Sequence, residues 1–425
     1  MRTRFSVHNL VLLIFALIPV GLIFAPFLLS ICMIFAAVVA TFKWERPSLQ
    51  IKLRPNLARW KALRSSPQFW MFCGLFFFTL WGAWDIQDMG YWLSRLRIKI
   101  PFLVLPLAFF FLPRPSNRSL DGLLYYLVWL LTLTSLGVLL NYLLHMEGIN
   151  QMIKQGKPIP LPCNHVRFSL LLVFGILSSL YLYFQGFFWR RPKEKYLQLG
   201  MAAFLFLFIH ILSVRTGIVV LYSTLLLLTI RYVFKTRRYG VGLGLLTVLL
   251  IFPFLAYQTI PSLRAKVDYV KYDLFMYRHG HTDKDLSDAG RWISLQMGWE
   301  VFREHPWLGV GAGNLKQAVQ QKYTAKYPEL SEEERKMPHN QFLSMLAAGG
   351  IIGALLFTLI FFYPLFYESN YRHWLLLGLY IITGLSFLVE NTIENAMGVG
   401  FFLYYVLHLL LRFTRDRPPT SSGGA

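Results

Sequence analysis

Residues 196–234 read YLQLGMAAFLFLFIHILSVRTGIVVLYSTLLLLTIRYVF. Two apolar runs, 196–214 and 217–234, stand almost end to end, with Arg215 in Ser213-Val214-Arg215-Thr216-Gly217 at their junction. About 20 helical residues cross a bilayer's hydrocarbon core, somewhat fewer where water or protein lines one side. The stretch therefore reads as two transmembrane helices with almost no room for a loop between them. An arginine at that depth is costly unless it faces the bundle interior, water or an anion. It is either an anion-binding residue or a topology residue that snorkels to the surface.

The same ruler, carried outward, marks ten more spans. They lie near 9–24, 27–42, 69–84, 100–113, 121–144 and 167–186 before this pair, and near 240–257, 340–365, 373–390 and 398–413 after it. The expected fold is an all-α integral membrane protein of about twelve transmembrane helices. Composition agrees, because 56% hydrophobic and 15% charged residues would leave a soluble domain with large apolar patches. The Leu10–Phe42 run has no small-residue cleavage site followed by a soluble domain, so it reads as retained spans. Cys32, Cys73 and Cys163 have no metal-ligand spacing.

A net charge of +21 would ordinarily raise nucleic acid as a partner, but the charges collect in the connections between apolar runs. With the N-terminus inside, the inner connections hold 23 basic and 5 acidic residues, a net of +18, whereas the short outer ones hold 7 and 5, a net of +2. This asymmetry places both termini in the cytoplasm. The basic cluster from Lys43 to Arg64, interleaved with Trp44, Leu53 and Trp60, reads as an interfacial topology determinant touching anionic lipid. The expected organisation is helices 1–9 in 1–257, an outer loop in 258–338, helices 10–12 in 339–413, and a disordered tail in 414–425.

The segment from Gln258 to Pro338 is the one long polar stretch, and its 12 basic and 11 acidic residues leave it near neutral. Ser287 or Asp288 suits the N-cap of a helix running to about His305. Along it, Trp292, Leu295, Trp299 and Phe302 form one apolar stripe, fit to rest on the interface or on the bundle top. Pro306 ends that helix, and Gly309-Val310-Gly311-Ala312-Gly313 turns the chain. This is no dinucleotide fingerprint, since no βαβ unit surrounds it. Asn314 is placed to cap a second helix toward Tyr327, and Ser331-Glu332-Glu333-Glu334 to start a short third one ending near Pro338.

His339 stands at the mouth of the tenth span with Asn340 and Gln341 beside it. A neutral imidazole there suits a general base near neutral pH, the alternative being an interfacial histidine with no task. Asn164-His165-Val166-Arg167 sits at the outer mouth of the sixth span as a further polar cluster. Glu390 and Glu394, at the outer end of the eleventh, either orient and neutralise the arginines or cap helices.

These residues together resemble the superfamily of O-antigen ligases, O-antigen polymerases and protein O-oligosaccharyltransferases. The resemblance rests on the arginine turn after the seventh span, Arg291-Trp292, His305-Pro306-Trp307-Leu308-Gly309-Val310-Gly311, and His339-Asn340 at the loop's end. It covers nearly the whole chain in topology and some 60 residues in motif. It implies a metal-independent glycosyltransferase of the GT-C type in the bacterial inner membrane, with its active site in the periplasm and no cofactor. The donor would be a glycan on undecaprenyl diphosphate and the acceptor a sugar hydroxyl of lipid A–core. His339 would be the catalytic base, and Arg215 and Arg291 would grip the diphosphate; Arg167, His165, Asn340 and Glu390 are secondary candidates. The one Asp-x-Asp spacing in the loop, Asp283-Lys284-Asp285, with Asp288 beyond it, is not read as a metal site, because the resemblance implies that arginines replace the metal. Polymerases of this type often carry two long outer loops, and the modest Met146–Cys163 loop favours a ligase. A transporter or flippase of an anionic lipid would also place arginines in the bundle, but would not need His339.

Overall fold

The computed structural model describes residues 7–41, 43–44, 51–52, 57–83, 85–279 and 287–413. Among the described residues the regular structure is helical apart from a two-residue antiparallel pairing of β1 (Lys43–Trp44) with β2 (Ile51–Lys52). The first helices are α1 (Val7–Phe24), α2 (Pro26–Thr41), α3 (Leu57–Arg64), α4 (Pro67–Phe77), α5 (Met89–Lys99) and α6 (Pro101–Phe111). Then come α7 (Asn117–Leu144), α8 (Met146–Lys154), α9 (His165–Phe184), α10 (Glu194–Leu212), α11 (Arg215–Thr236) and α12 (Tyr239–Thr259). The last six are α13 (Pro261–Arg278), α14 (Ser287–Glu304), α15 (Leu315–Lys326), α16 (Gln341–Phe366), α17 (Trp374–Phe387) and α18 (Ala396–Phe413).

Each of the twelve expected spans falls on a helix, but they are not equivalent. Among the described residues, eight are long and apolar enough to cross a bilayer: α1, α7, α9, α10, α11, α12, α16 and α18. The rest are shorter, and each has a local reason. Pro26 opens α2, α4 gives way to a tighter helical turn at Phe78–Leu80, α6 is bounded by Pro101 and Pro113, and Leu388 to Asn391 turn the chain after α17. The bundle is centred on α9 and α18, each 83% buried across the apolar window, whereas α12, at 11%, stands at the periphery. At one end, the buried Arg412 Nε holds Asp121 Oδ1 at 2.8 Å, so α18 and α7 are pinned by a hydrogen-bonded ion pair.

Three expectations for the polar segment are corrected. A helix not foreseen from periodicity, α13, follows Pro261 directly. Asn314 does not cap α15: its side chain accepts from Gln87 N (2.9 Å) and donates to Asp85 O (2.5 Å), tying the loop to the turn before α5. Ser331–Glu334 makes one half of the expected capping box, with Glu334 Oε2 accepting from Ser331 N (2.9 Å) and also from its Oγ (2.6 Å), but it closes a turn, not a helix. Helix α14 begins at Ser287 as expected; the side chains that would cap it lie outside the described residues, as do Asp283–Asp285, residues 45–50 and 53–56 of the basic cluster, and the tail after Phe413.

The tryptophan stripe of α14 faces outward, with Trp292 61% and Trp299 49% exposed. Its buried face is Ile293, Met297 and Val301, packed on Leu315, Val319 and Tyr323 of α15 and on Ala347 and Ala348 of α16. Carboxylates Glu300 and Glu304 pair with Lys326 and Lys322, closing the α14–α15 hairpin.

The tenth span is broken. Gly350 adopts φ 63°, ψ −164°, a conformation essentially reserved for glycine, and interrupts α16 about 14 Å from its start. A helix broken in lipid leaves backbone groups that must find partners. Here Pro306–Gly311 supplies them. Val310 and Gly311 N–H donate to Ala347 and Ala348 O at 3.1 and 2.8 Å, and Ile351 N–H donates to Pro306 O at 2.8 Å. A Cβ on Gly350 would come within 2.2 Å of the Trp307 carbonyl, and one on Gly309 (φ +67°) within 2.4 Å of Ala348 backbone.

Candidate functional site

Arg215 reaches its position through a two-residue turn. Ser213 ends α10 in the left-handed conformation (φ 57°), Val214 is extended, and Arg215 opens α11. Helix α13 clamps this turn from the side: Ser262 Oγ donates to Ile211 O at 2.6 Å and receives Ser213 Oγ at 3.3 Å. Gly217 lets α11 approach α9, since a Cβ there would lie 2.4 Å from that of Ser169.

Arg291 sits in the first turns of α14, and His339 just ahead of the helix that Asn340 caps through Leu343 N at 2.9 Å. Three bonds fix the His339 backbone. Its N–H donates to Ser294 Oγ (3.3 Å), whose hydroxyl donates to Arg291 O (2.6 Å), and Asn391 Nδ2 donates to Pro338 O (2.5 Å).

Glu390 is where the candidates converge. Its carboxylate lies 3.3 Å from Arg291 Nη2, 3.6 Å from His339 Nδ1 and 3.9 Å from Arg167 Nη1, with its side chain 9% exposed. Burial alone would raise the Glu390 carboxyl; the bond from His339 and the charges of Arg167 and Arg291 outweigh it and hold it below the ordinary 4.5. Of the two roles the sequence left open, Glu390 therefore has the first: it binds and neutralises.

Glu394 organises a second cluster that sequence reasoning missed. Lys99 Nζ contacts its Oε1 at 2.7 Å, Gln341 Nε2 donates to the same oxygen at 2.9 Å, and Arg95 donates to its backbone carbonyl at 3.0 Å. Burial of Glu394 is again outweighed, chiefly by Lys99, so this carboxyl too is held low. The available signal was a lysine ending α5 two residues before the proline that opens α6.

Both clusters face one cavity of 720 Å³. Arg215, Arg291, His339, His165, Arg167 and Glu390 all line it; Asn340 is not among its lining residues and serves as a helix cap bonded to Leu388 O at 3.0 Å. Among the described residues, nine lysines and arginines line it against three glutamates. The near-neutral loop total thus concealed a strongly cationic surface, because Lys266, Arg335 and Lys336 face inward while other charges face out. Such a concave, one-signed wall attracts and concentrates anions. The described residues contain no group of three or more His, Cys, Asp or Glu placed to hold a metal ion.

These features define an all-helical integral membrane protein with a cationic pocket at one end of its bundle, assembled from spans and loop together. Residues 200–358, from α10 into α16, match the family model described as O-antigen ligase, so this stretch of the chain is similar to that family. It spans Arg215, Arg291 and His339, but not His165, Arg167 or Glu390. No curated protein matches the chain.

Proposed function

We propose that the protein is an O-antigen ligase of the bacterial inner membrane, working at the periplasmic face with both termini in the cytoplasm. It moves a glycan from undecaprenyl diphosphate to a sugar hydroxyl of lipid A–core. The observation that carries this reading is the convergence of His339, Arg291 and Arg167 on Glu390, in a cavity that Arg215 also lines. With Nδ1 beside a carboxylate, the imidazole keeps its proton there and offers Nε2 as base. Nε2 takes the acceptor's hydroxyl proton, the oxygen bonds to the anomeric carbon, and the bond from that carbon to the diphosphate oxygen breaks. Arg215 and Arg291 carry the charge that develops on the departing diphosphate, a role suited to planar, permanently charged guanidinium groups. In this reading 258–338 is the outer wall of the site and the spans on either side are its floor.

The test supplies purified protein with undecaprenyl-diphosphate glycan and lipid A–core, with EDTA present. Transfer to the core is expected, and His339→Ala should lower turnover by roughly 10²- to 10⁴-fold. Elongation of the donor without transfer would identify a polymerase instead, and full activity in His339→Ala would remove the base.

A further inference from the structure

A second cavity, of 990 Å³, lies between α9, α10, α11 and α12, and its wall is almost wholly apolar, formed by residues such as Leu180, Ala203, Leu228 and Leu245. Helix α12 packs on α11 and α13 and meets α10 through Phe252, whose ring lies 4.9 Å from those of Phe206 and His210, and the cleft lies along its first half, from Val241 to Leu249. Its polar rim is confined to one end. Arg231, Lys235 and Arg238, on the last turn of α11 and just beyond, face Arg372 from the connection before α17, and no carboxylate is among the described lining residues. Arg231 Nη2 donates to Arg372 O at 3.0 Å, drawing the two sides of the rim together. Arg231 follows Arg215 by sixteen residues on one helix, so the rim lies about 24 Å from the catalytic end, on the opposite membrane face.

We propose that this cleft is a binding site for one anionic phospholipid of the surrounding bilayer, its acyl chains along the apolar wall and its phosphate on the four-cation rim. The chemistry is that of basic pockets between transmembrane helices, where a desolvated apolar slot fixes the chains and the charges choose the head group. A zwitterionic lipid fills the slot equally well but carries its own cation into the rim. The site is independent of the glycan reaction and of its assignment.

Full-length protein extracted in detergent, exchanged against phosphatidylglycerol or phosphatidylcholine and weighed by native mass spectrometry, provides the test. One phosphatidylglycerol per chain should survive washing that removes phosphatidylcholine. The triple variant Arg231→Gln, Lys235→Gln, Arg238→Gln should bind phosphatidylglycerol roughly 100-fold more weakly. Ala203→Trp, at an exposed position on the wall, fills the slot with all charges kept and should also abolish retention, which covers the case in which the triple variant fails to fold. Equal retention of both lipids, unchanged retention in Ala203→Trp, or a polyprenyl lipid as the only species bound would overturn the proposal.

Discussion

Glu390 is one carboxylate shared by three cationic partners, and its loss should be felt in two ways. Glu390→Gln removes the charge that holds the His339 tautomer, so kcat should fall by up to about 10⁴-fold with less change in KM, as measured in the transfer assay. It should also alter acid stability. The folded carboxyl titrates below the ordinary value of 4.5, so its stabilisation is present above that value and disappears as the pH falls through the lower folded one. Wild-type protein should therefore lose melting temperature from about pH 5 downward more steeply than Glu390→Gln; parallel pH curves for the two would contradict this. His339, Arg215 and Arg291 line one cavity, as the sequence grouped them: two stand at span ends and Arg291 lies in the loop beside a recognisable motif. Lys99 was not legible, since a lysine ending an outer connection looks like any other until Glu394 is seen 2.7 Å away.

Helix α16 and the Pro306–Gly311 turn act as one element, and their glycines are not interchangeable. Gly350→Ala would place a methyl on a strained backbone and against the Trp307 carbonyl. It should destabilise by at least about 1–3 kcal/mol from backbone strain alone, seen as a lower melting temperature and poor yield. Gly200→Ala, on α10 with nothing within 4 Å of the added carbon, should be neutral or slightly stabilising. Ser262→Ala loosens the clamp on the Arg215 turn and should raise the donor's KM several-fold, in keeping with about 1 kcal/mol for each lost hydrogen bond. Periodicity read the long helices well because an apolar run in a membrane leaves the backbone little choice. It failed for the break in α16, since Gly349-Gly350 lies inside an otherwise uninterrupted apolar run and its partner strip lies some 40 residues upstream. On α14 it picked out the tryptophan stripe, which faces outward, but not the packed stripe of smaller residues, Ile293, Met297 and Val301.

At the scale of the whole molecule, charge is sorted twice. Sequence position sorted it between the two faces of the bundle, which could be counted; folding then sorted the outer segment's charges between cavity and solvent, which could not. Because the cavity wall is predominantly cationic, donor KM should rise roughly threefold or more between about 0.05 and 0.5 M salt, as screening weakens capture of a diphosphate. A flat salt response would mean the lysines lining the wall are too well paired to steer the donor. The broken tenth helix has a further consequence, for assembly and for protein engineering. Until Pro306–Gly311 docks, the groups freed at Gly350 have no partner in lipid, so insertion of this helix and closure of the outer segment must finish as a single event. His339 lies between the two and is set in place by that event. A chimera made by exchanging the outer segment alone would therefore arrive without its matching break; the transplantable unit is the segment together with the helix that it completes.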